Sequence, residues 1–485
     1  MKAENTLIFF FFIWLIVSIF FGEQIPAGNG LGWDGILYSN ITQHFSTSVF
    51  GNQLSEYYVQ RILPSGIIFY TAKLMHAPLT DQNMPMAFGI YNTIILCAGV
   101  YLWKLIATQQ KWSLQVRLIS FSGLFLNYAV LKMNTYYTVL TDISAFTCSL
   151  LMLYFYVCNK NYRVLFSGIL GAFIFPTLLY VSIIMFIFPR NMDGNEKINI
   201  EAASRGNQWL SFAVAAFILA LALLFKLMIS KLEWATGHYS WTPVLCLSAL
   251  ALFGYLLLGF RPMMSNYIPL IYKLRRAFHF QALFAVIAFI AVNLILNFLS
   301  SNEPGPLTLT IFLEVLLVRS LAYPLIFLIS HTLYYGPIIC LLLCFWKETV
   351  NYLKNNGYAL LIVFFFYVIL SINSESRQII NFLPIAVFAI SEILNQKIIP
   401  RHFGTIFVLL SLLISRFWLP LNHSEWLSLD TNPIQLTLEF PMQWYFMSQG
   451  PWMSPIMYLI GSAVVSALFY YIYKLSKQPR QSNSK

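Results

Sequence analysis

Charge is scarce in this chain, and that scarcity excludes most function classes at once. Asp, Glu, Lys and Arg make up 10% of the 485 residues, where a soluble globular chain carries about 25%. Apolar residues supply 59%. Such a chain cannot hide its apolar surface from water in one soluble core, so the composition predicts an all-α polytopic membrane protein. Other absences narrow the chemistry. The six cysteines, Cys97, Cys148, Cys158, Cys246, Cys340 and Cys344, form no Cys-x-x-Cys pair, and the seven histidines form no His-Glu-x-x-His. No metal site built by protein ligands alone is expected and no cofactor is called for, although a divalent metal shared with a substrate phosphate is compatible with the sequence. The balance of 29 basic against 18 acidic residues gives +11. No soluble basic domain with interleaved aromatics carries that excess, so it reads as membrane orientation rather than as nucleic-acid binding. Internal repeats and low-complexity tracts are also missing.

Apolar runs are what the chain has in abundance. The first, 7–21, has the length of a signal peptide but no small-x-small cleavage site after it, and it reads as an uncleaved helix. Thirteen more lie near 84–106, 115–131, 138–158, 164–188, 209–229, 241–260, 277–299, 308–328, 329–346, 357–372, 378–394, 403–420 and 454–473. A span needs about 20 residues, with a range of roughly 17–25. Several runs are short and 308–346 divides ambiguously, so eleven to fourteen spans are expected. They form one transmembrane domain over 1–473 with a basic tail at 474–485. The run 62–76 is short and holds Pro64 and Lys73, which suggests an interfacial or re-entrant helix inside a first outer loop of about 23–76.

Basic residues orient the bundle. With the N-terminus inside and the helices alternating, five loops fall on the cytoplasmic side. They carry Lys104, Lys111 and Arg117; Lys160 and Arg163; Lys226 and Lys231; Lys347 and Lys354; and Lys397 and Arg401. The C-terminal tail falls there too. The segment 189–208 then becomes an outer loop. So does 421–453, which contains no Lys or Arg but holds Trp426, Trp444, Tyr445 and Trp452. Arg261, Lys273, Arg275 and Arg276 come out on the outer face, against the rule.

Four short signals stand at the ends of apolar runs. Gly30-Leu31-Gly32-Trp33-Asp34-Gly35 matches G-x-G-x-x-G, but no strand precedes it, so it marks a sharp turn and not a dinucleotide site. A turn residue bonded to nearby backbone is the ordinary explanation of Asp34. Thr141-Asp142 opens a helix, where a cap is the ordinary explanation. Arg61 reads ordinarily as a snorkelling cation, and Glu375–Arg377 as a surface pair, with Pro384 interrupting the helix that follows. Glu314 and Arg319 lie inside an apolar run, where charges are functional candidates. Taken together, two acids and several cations on one membrane face suit chemistry on a phosphate-bearing lipid, since guanidinium matches phosphate geometry.

These residues resemble the GT-C superfamily of integral-membrane glycosyltransferases. The resemblance is carried by Gly32-Trp33-Asp34-Gly35-Ile36-Leu37-Tyr38, Tyr58-Val59-Gln60-Arg61-Ile62-Leu63-Pro64, Thr141-Asp142-Ile143-Ser144-Ala145, and Glu375-Ser376-Arg377 with Leu383-Pro384. Their order is that of bacterial members. The paired acid Asp-x-Asp or Glu-x-Asp of some members is absent around Asp34. The resemblance implies transfer of a sugar from a polyprenyl-phosphate carrier to a glycan, lipid or protein hydroxyl, with inversion, at the outer face of a bacterial inner membrane. It implies Asp34 as general base and Asp142 as its partner in orienting base or acceptor. Arg61 and Arg377, with Arg275 and Arg276, would hold the phosphate. A transporter or flippase of a lipid-linked saccharide, or an O-antigen-type polymerase, would draw on the same cations and aromatics.

Overall fold

The computed structural model describes residues 2–188, 190, 208–229, 242–264, 280–301, 303, 305, 309–397, 399–400, 402–422, 453 and 455–477. Every regular element among them is helical. Seven helices are long and apolar enough to cross a membrane, or nine if each of two bent pairs is one span, and five shorter apolar helices stand among them. The chain is thus an all-α polytopic membrane protein, as its composition predicts. Helices are the answer because hydrocarbon offers the backbone no hydrogen bonds, and a helix satisfies its own. Large apolar side chains line the outside of the bundle: Phe9, Phe10 and Phe20 on Lys2–Phe21, and Phe284, Ile290 and Leu294 on Phe280–Leu299, are all exposed. The core runs along Ser376–Gln396, the most enclosed of the long spans.

Pro384 does not break that helix. It falls in the first turn of Leu383–Gln396, where a missing N–H is harmless. The change occurs just ahead, where a 3-10 segment, Ser376–Phe382, passes into α-helix. The ambiguous run 308–346 resolves into three pieces. Leu309–Leu321 and Ile326–Tyr335 meet at 99°, with Leu325 in the left-handed region, and Gly336-Pro337 separates them from Ile338–Cys344. Proline punctuates both breaks, and apolarity continues through them, so hydropathy alone cannot place them. The run 62–76 becomes Ile62–Leu74, a 13-residue helix too short to span.

The run 164–188 requires a correction. It is no single span but a hairpin of Asn161–Gly171 and Thr177–Ile187. Leu178 packs on Gly171, Ser182 on Gly168, and the Tyr162 and Phe186 rings lie 5.4 Å apart. Pro176, which lacks an N–H and disfavours α geometry before it, sits at the break. The turn rests on the Arg61 segment, where the Phe173 carbonyl accepts the Leu63 N–H at 2.9 Å. At the return, Arg190 Nη2 donates to Gln110 Oε1 at 3.3 Å, at the end of the bundle that also holds Lys160. The chain therefore leaves residue 188 on the basic face, and the expected outer loop 189–208 starts on the wrong side. The same correction removes the exception at Arg261. Trp346 Nε1 donates to the Gly259 carbonyl at 3.1 Å and Lys354 to the Pro262 carbonyl, so Arg261 belongs to the Lys354 face after all. Alternation then carries Lys226 toward the opposite end, while Lys231, expected in the same loop, lies outside the described residues.

A partly buried ion pair ties the first outer segment to the chain after the helix Phe403–Ser415. Lys132 Nζ donates to Glu23 Oε2 at 2.7 Å and to the Leu419 carbonyl at 3.0 Å. Glu23 also accepts the N–H groups of Leu421 (2.8 Å) and Asn422. Burial pushes the Glu23 carboxyl up, but Lys132 and those N–H groups together hold it below the ordinary carboxylate range. A depressed carboxylate contributes stability that is complete above its unfolded pKa and lost as pH falls through the folded one. Glu23→Gln is therefore expected to lower stability by about 1–2 kcal/mol at neutral pH. The deficit against wild type should shrink as the medium is acidified through the carboxylate range, which thermal melts of detergent-solubilised protein at several pH values will measure.

Candidate active site

The glycine-rich run builds the approach to Asp34. Gly28, Gly30 and Gly32 all have positive φ, and Gly32 at φ 68 lies so close to the Tyr137 ring that a Cβ there would meet it at 2.5 Å. This close approach lets the Asp34 N–H donate to the Tyr137 hydroxyl at 2.8 Å. Asp34 stands in the first turn of Gly32–Gln43, where the helix dipole favours a carboxylate. Gly32→Ala combines a left-handed residue, about 1–2 kcal/mol, with that clash. It should lower the melting midpoint, whereas Gly254→Ala, whose Cβ would meet nothing, should leave it unchanged.

Asp34 is not the backbone-bonded turn residue of the ordinary explanation. Its Oδ2 accepts from Arg377 Nη2 at 3.3 Å, across 343 positions of sequence, and its side chain is 45% exposed. Arg377 also pairs with Glu375, Nε to Oε1 at 2.7 Å. That pair exists as the sequence suggested but not at the surface: the two side chains are 14% and 12% exposed. Asn373 Oδ1 accepts the Glu375 N–H at 2.9 Å and fixes the turn that presents both.

Asp142 opens Asp142–Val157, and neither it nor Thr141 makes a side-chain cap bond there. It lies in the electrostatic field of Arg377, Glu375, Arg61 and Asp34 without an ion pair to any of them among the described residues. It lines a cleft with room for about one water molecule, together with Asn92, Asn134, Tyr137 and Tyr334. Asn134 is 2% exposed and neither of its amide atoms is hydrogen-bonded by the protein; Asn92 Oδ1 and the Tyr334 hydroxyl are likewise unpaired. Buried polar groups without partners are rare, and a cluster of them beside a carboxylate marks a place built to receive hydrogen-bonding groups.

Arg61 does not snorkel. It is 7% exposed, with its guanidinium 3.8 Å over the Tyr57 ring and Nη1 donating to the Tyr57 carbonyl at 2.6 Å. It reaches the site through its charge rather than by contact. Arg275 and Arg276 lie outside the described residues. The helices on either side of them end at Met264 and Phe280, and both ends are on the basic face: Pro262 meets Lys354, and Phe280 meets edge-on the ring of Phe284, which is 6.3 Å from that of Tyr162. Glu314 is buried in a π-helical turn, Glu314–Val318. Among the described residues no three His, Cys, Asp or Glu side chains converge as a metal site. The assembled groups, Asp34, Asp142 and Glu375 against Arg61 and Arg377, leave one more carboxylate than cation.

Beside this cluster lies an apolar cavity of about 480 Å³. Leu258, Leu328, Leu342, Trp346, Val368 and Phe382 are among the residues that line it. Its wall includes Ile379, two residues from Arg377. Sequence reasoning missed this cavity and the Asn92–Asn134–Tyr334 group. Their residues are spread over at least eight helical segments, and only the polar interruption Asn134-Thr135-Tyr136-Tyr137-Thr138 between two apolar runs gave a local signal.

Comparison with family models, with curated proteins and with solved structures returns no match. The functional reading therefore rests on this geometry and on the short motifs alone.

Proposed function

We propose that the chain is a membrane glycosyltransferase that moves a sugar from a polyprenyl-phosphate carrier to an acceptor hydroxyl. The observation that carries the proposal is the half-exposed Asp34 held 3.3 Å from Arg377, next to an apolar cavity of about 480 Å³. The carrier's tail suits the cavity, and its phosphate suits Arg377, which can stabilise the charge of a departing phosphate. The acceptor oxygen attacks the anomeric carbon from the face opposite the phosphate. The carbon–oxygen bond breaks with its electron pair going to the phosphate, and Asp34 takes the acceptor's proton, giving inversion. Asp142 orients the acceptor from the cleft it shares with Asn92 and Asn134. The surplus carboxylate means that a proton or a cation accompanies the arriving phosphate.

The basic face, with Lys111, Lys160, Arg261, Lys354 and both described chain ends, would be cytoplasmic by the positive-inside rule. The carboxylates would then face the extracytoplasmic side, as proposed for a bacterial inner membrane. One feature favours a second reading. The 99° break beside the site resembles the discontinuous helices of transporters, and a flippase for a lipid-linked saccharide would use the same cavity. The two separate in lipid nanodiscs loaded with a polyprenyl-phosphate hexose and a hydroxyl acceptor. Transfer releases free polyprenyl phosphate in step with glycosylated acceptor. An intact carrier after prolonged incubation across a panel of hexoses and acceptors would contradict it.

A further inference from the structure

The wall between the apolar cavity and the charged cluster is not apolar. His331 lines the cavity, is 2% exposed, and has both ring nitrogens engaged. Nε2 lies 2.8 Å from the Ser371 carbonyl, which can only accept, so Nε2 carries the proton. In the neutral ring, which so buried a site with no carboxylate bonded to the imidazole favours, Nδ1 is then an acceptor, and the Ser376 hydroxyl donates to it at 3.0 Å. Tyr335, one turn further along the same helix and also lining the cavity, donates from its hydroxyl to the Ser376 carbonyl. Ser376 is thus held at its side chain and at its carbonyl by two residues that a cavity occupant would touch. The next residue is Arg377. Its bond to Asp34, at 3.3 Å, is loose for a charge-assisted pair, which runs about 2.7–2.9 Å. The guanidinium therefore has slack that a small movement of Ser376 can take up.

We propose that His331 is a positioning residue that couples filling of the apolar cavity to the placement of Arg377, so that a prenyl phosphate is distinguished from the bare prenyl alcohol. The inference rests on the carrier reading above. It goes beyond that reading in assigning the discrimination to a neutral imidazole that never touches the phosphate. The coupling runs through Nδ1 and Ser376 Oγ. Asparagine places an acceptor near the Nδ1 position and should preserve it. Glutamine, which reaches toward the Nε2 position, and leucine should not.

The test is direct binding of farnesyl phosphate and of farnesol to the full-length protein in nanodiscs. Wild type and His331→Asn should prefer the phosphate by about tenfold or more, the equivalent of one well-placed charged hydrogen bond. For His331→Gln, His331→Leu and Ser376→Ala the preference should fall below about threefold. Ser376→Ala serves as the second variant should His331→Leu fail to fold. A merely structural histidine moves both ligands alike and leaves the ratio at its wild-type value, which would overturn the proposal. Equal binding of both ligands by wild type would instead remove the carrier reading, and the coupling with it.

Discussion

Arg377→Gln is expected to lose about 3–5 kcal/mol of stability, seen as a large drop in the melting midpoint of the solubilised protein. The reason is the carboxylate it abandons. Glu375 is 12% exposed and its 2.7 Å bond to Arg377 Nε is the only ion pair it makes among the described residues. Removing the cation leaves a buried charge uncompensated, which is far worse than never having had the pair. The double variant Arg377→Gln, Glu375→Gln should therefore recover most of the stability, because two neutral amides can hydrogen-bond to each other and no buried charge is left uncompensated. Recovery of activity is not expected, since the Asp34 partner and the phosphate's counter-charge are both still missing. A stability loss of under 1 kcal/mol for the single variant would mean that the pair is solvated and that the cluster is open to water. Arg377→Lys should also fail as an enzyme: a single ammonium cannot reach Glu375 and Asp34 through a planar fork.

Asp34→Asn is expected to reduce transfer by about 10²–10⁴-fold, the usual contribution of a general base, with little change in the melting midpoint. The structure separates these two readouts. Asp34 is 45% exposed and its bond to Arg377 is long, so it contributes little to holding the fold. Its backbone N–H to the Tyr137 hydroxyl survives the substitution. Asp142→Asn should behave differently. Asp142 shares its cleft with the unpaired amide of Asn134 and the unpaired Oδ1 of Asn92, so its loss should appear first as weaker acceptor binding, raising KM more than it lowers kcat. Near-wild-type transfer by well-folded Asp34→Asn would take the base assignment away.

Much of this arrangement was legible in the sequence, and the failures have one cause. Charges are rare enough in this chain that each stands out, so Asp34, Asp142, Arg61 and Arg377 could be picked individually. What the residues do with one another could not be seen. Glu375 and Arg377 look like a surface pair because they are two positions apart in a polar turn. They are buried because Ser376–Gln396 runs through the middle of the bundle. Arg61 looks like a snorkelling side chain because a proline and an apolar helix follow it, and only the fold supplies the Tyr57 ring and the turn at Phe173–Phe175 that enclose it. The hairpin at 161–187 was invisible for a related reason. Hydropathy counts apolar length, and two short apolar helices joined by an apolar turn have the same length as one span. The misplaced cation at Arg261 was the trace of that error, and the charge rule detected it without being able to say where the extra crossing lay.

The transfer reading needs the carboxylates on the opposite side of the membrane from the basic face, and accessibility of single cysteines in a cysteine-free background measures this directly. Asn40, Lys160 and Arg261 are all exposed. An impermeant maleimide should label Asn40→Cys in intact cells, and should reach Lys160→Cys and Arg261→Cys only after the membrane is opened. Labelling of Arg261→Cys together with Asn40→Cys in intact cells would contradict the arrangement, restore the single span at 164–188, and separate the charged cluster from the topology on which the proposed chemistry depends.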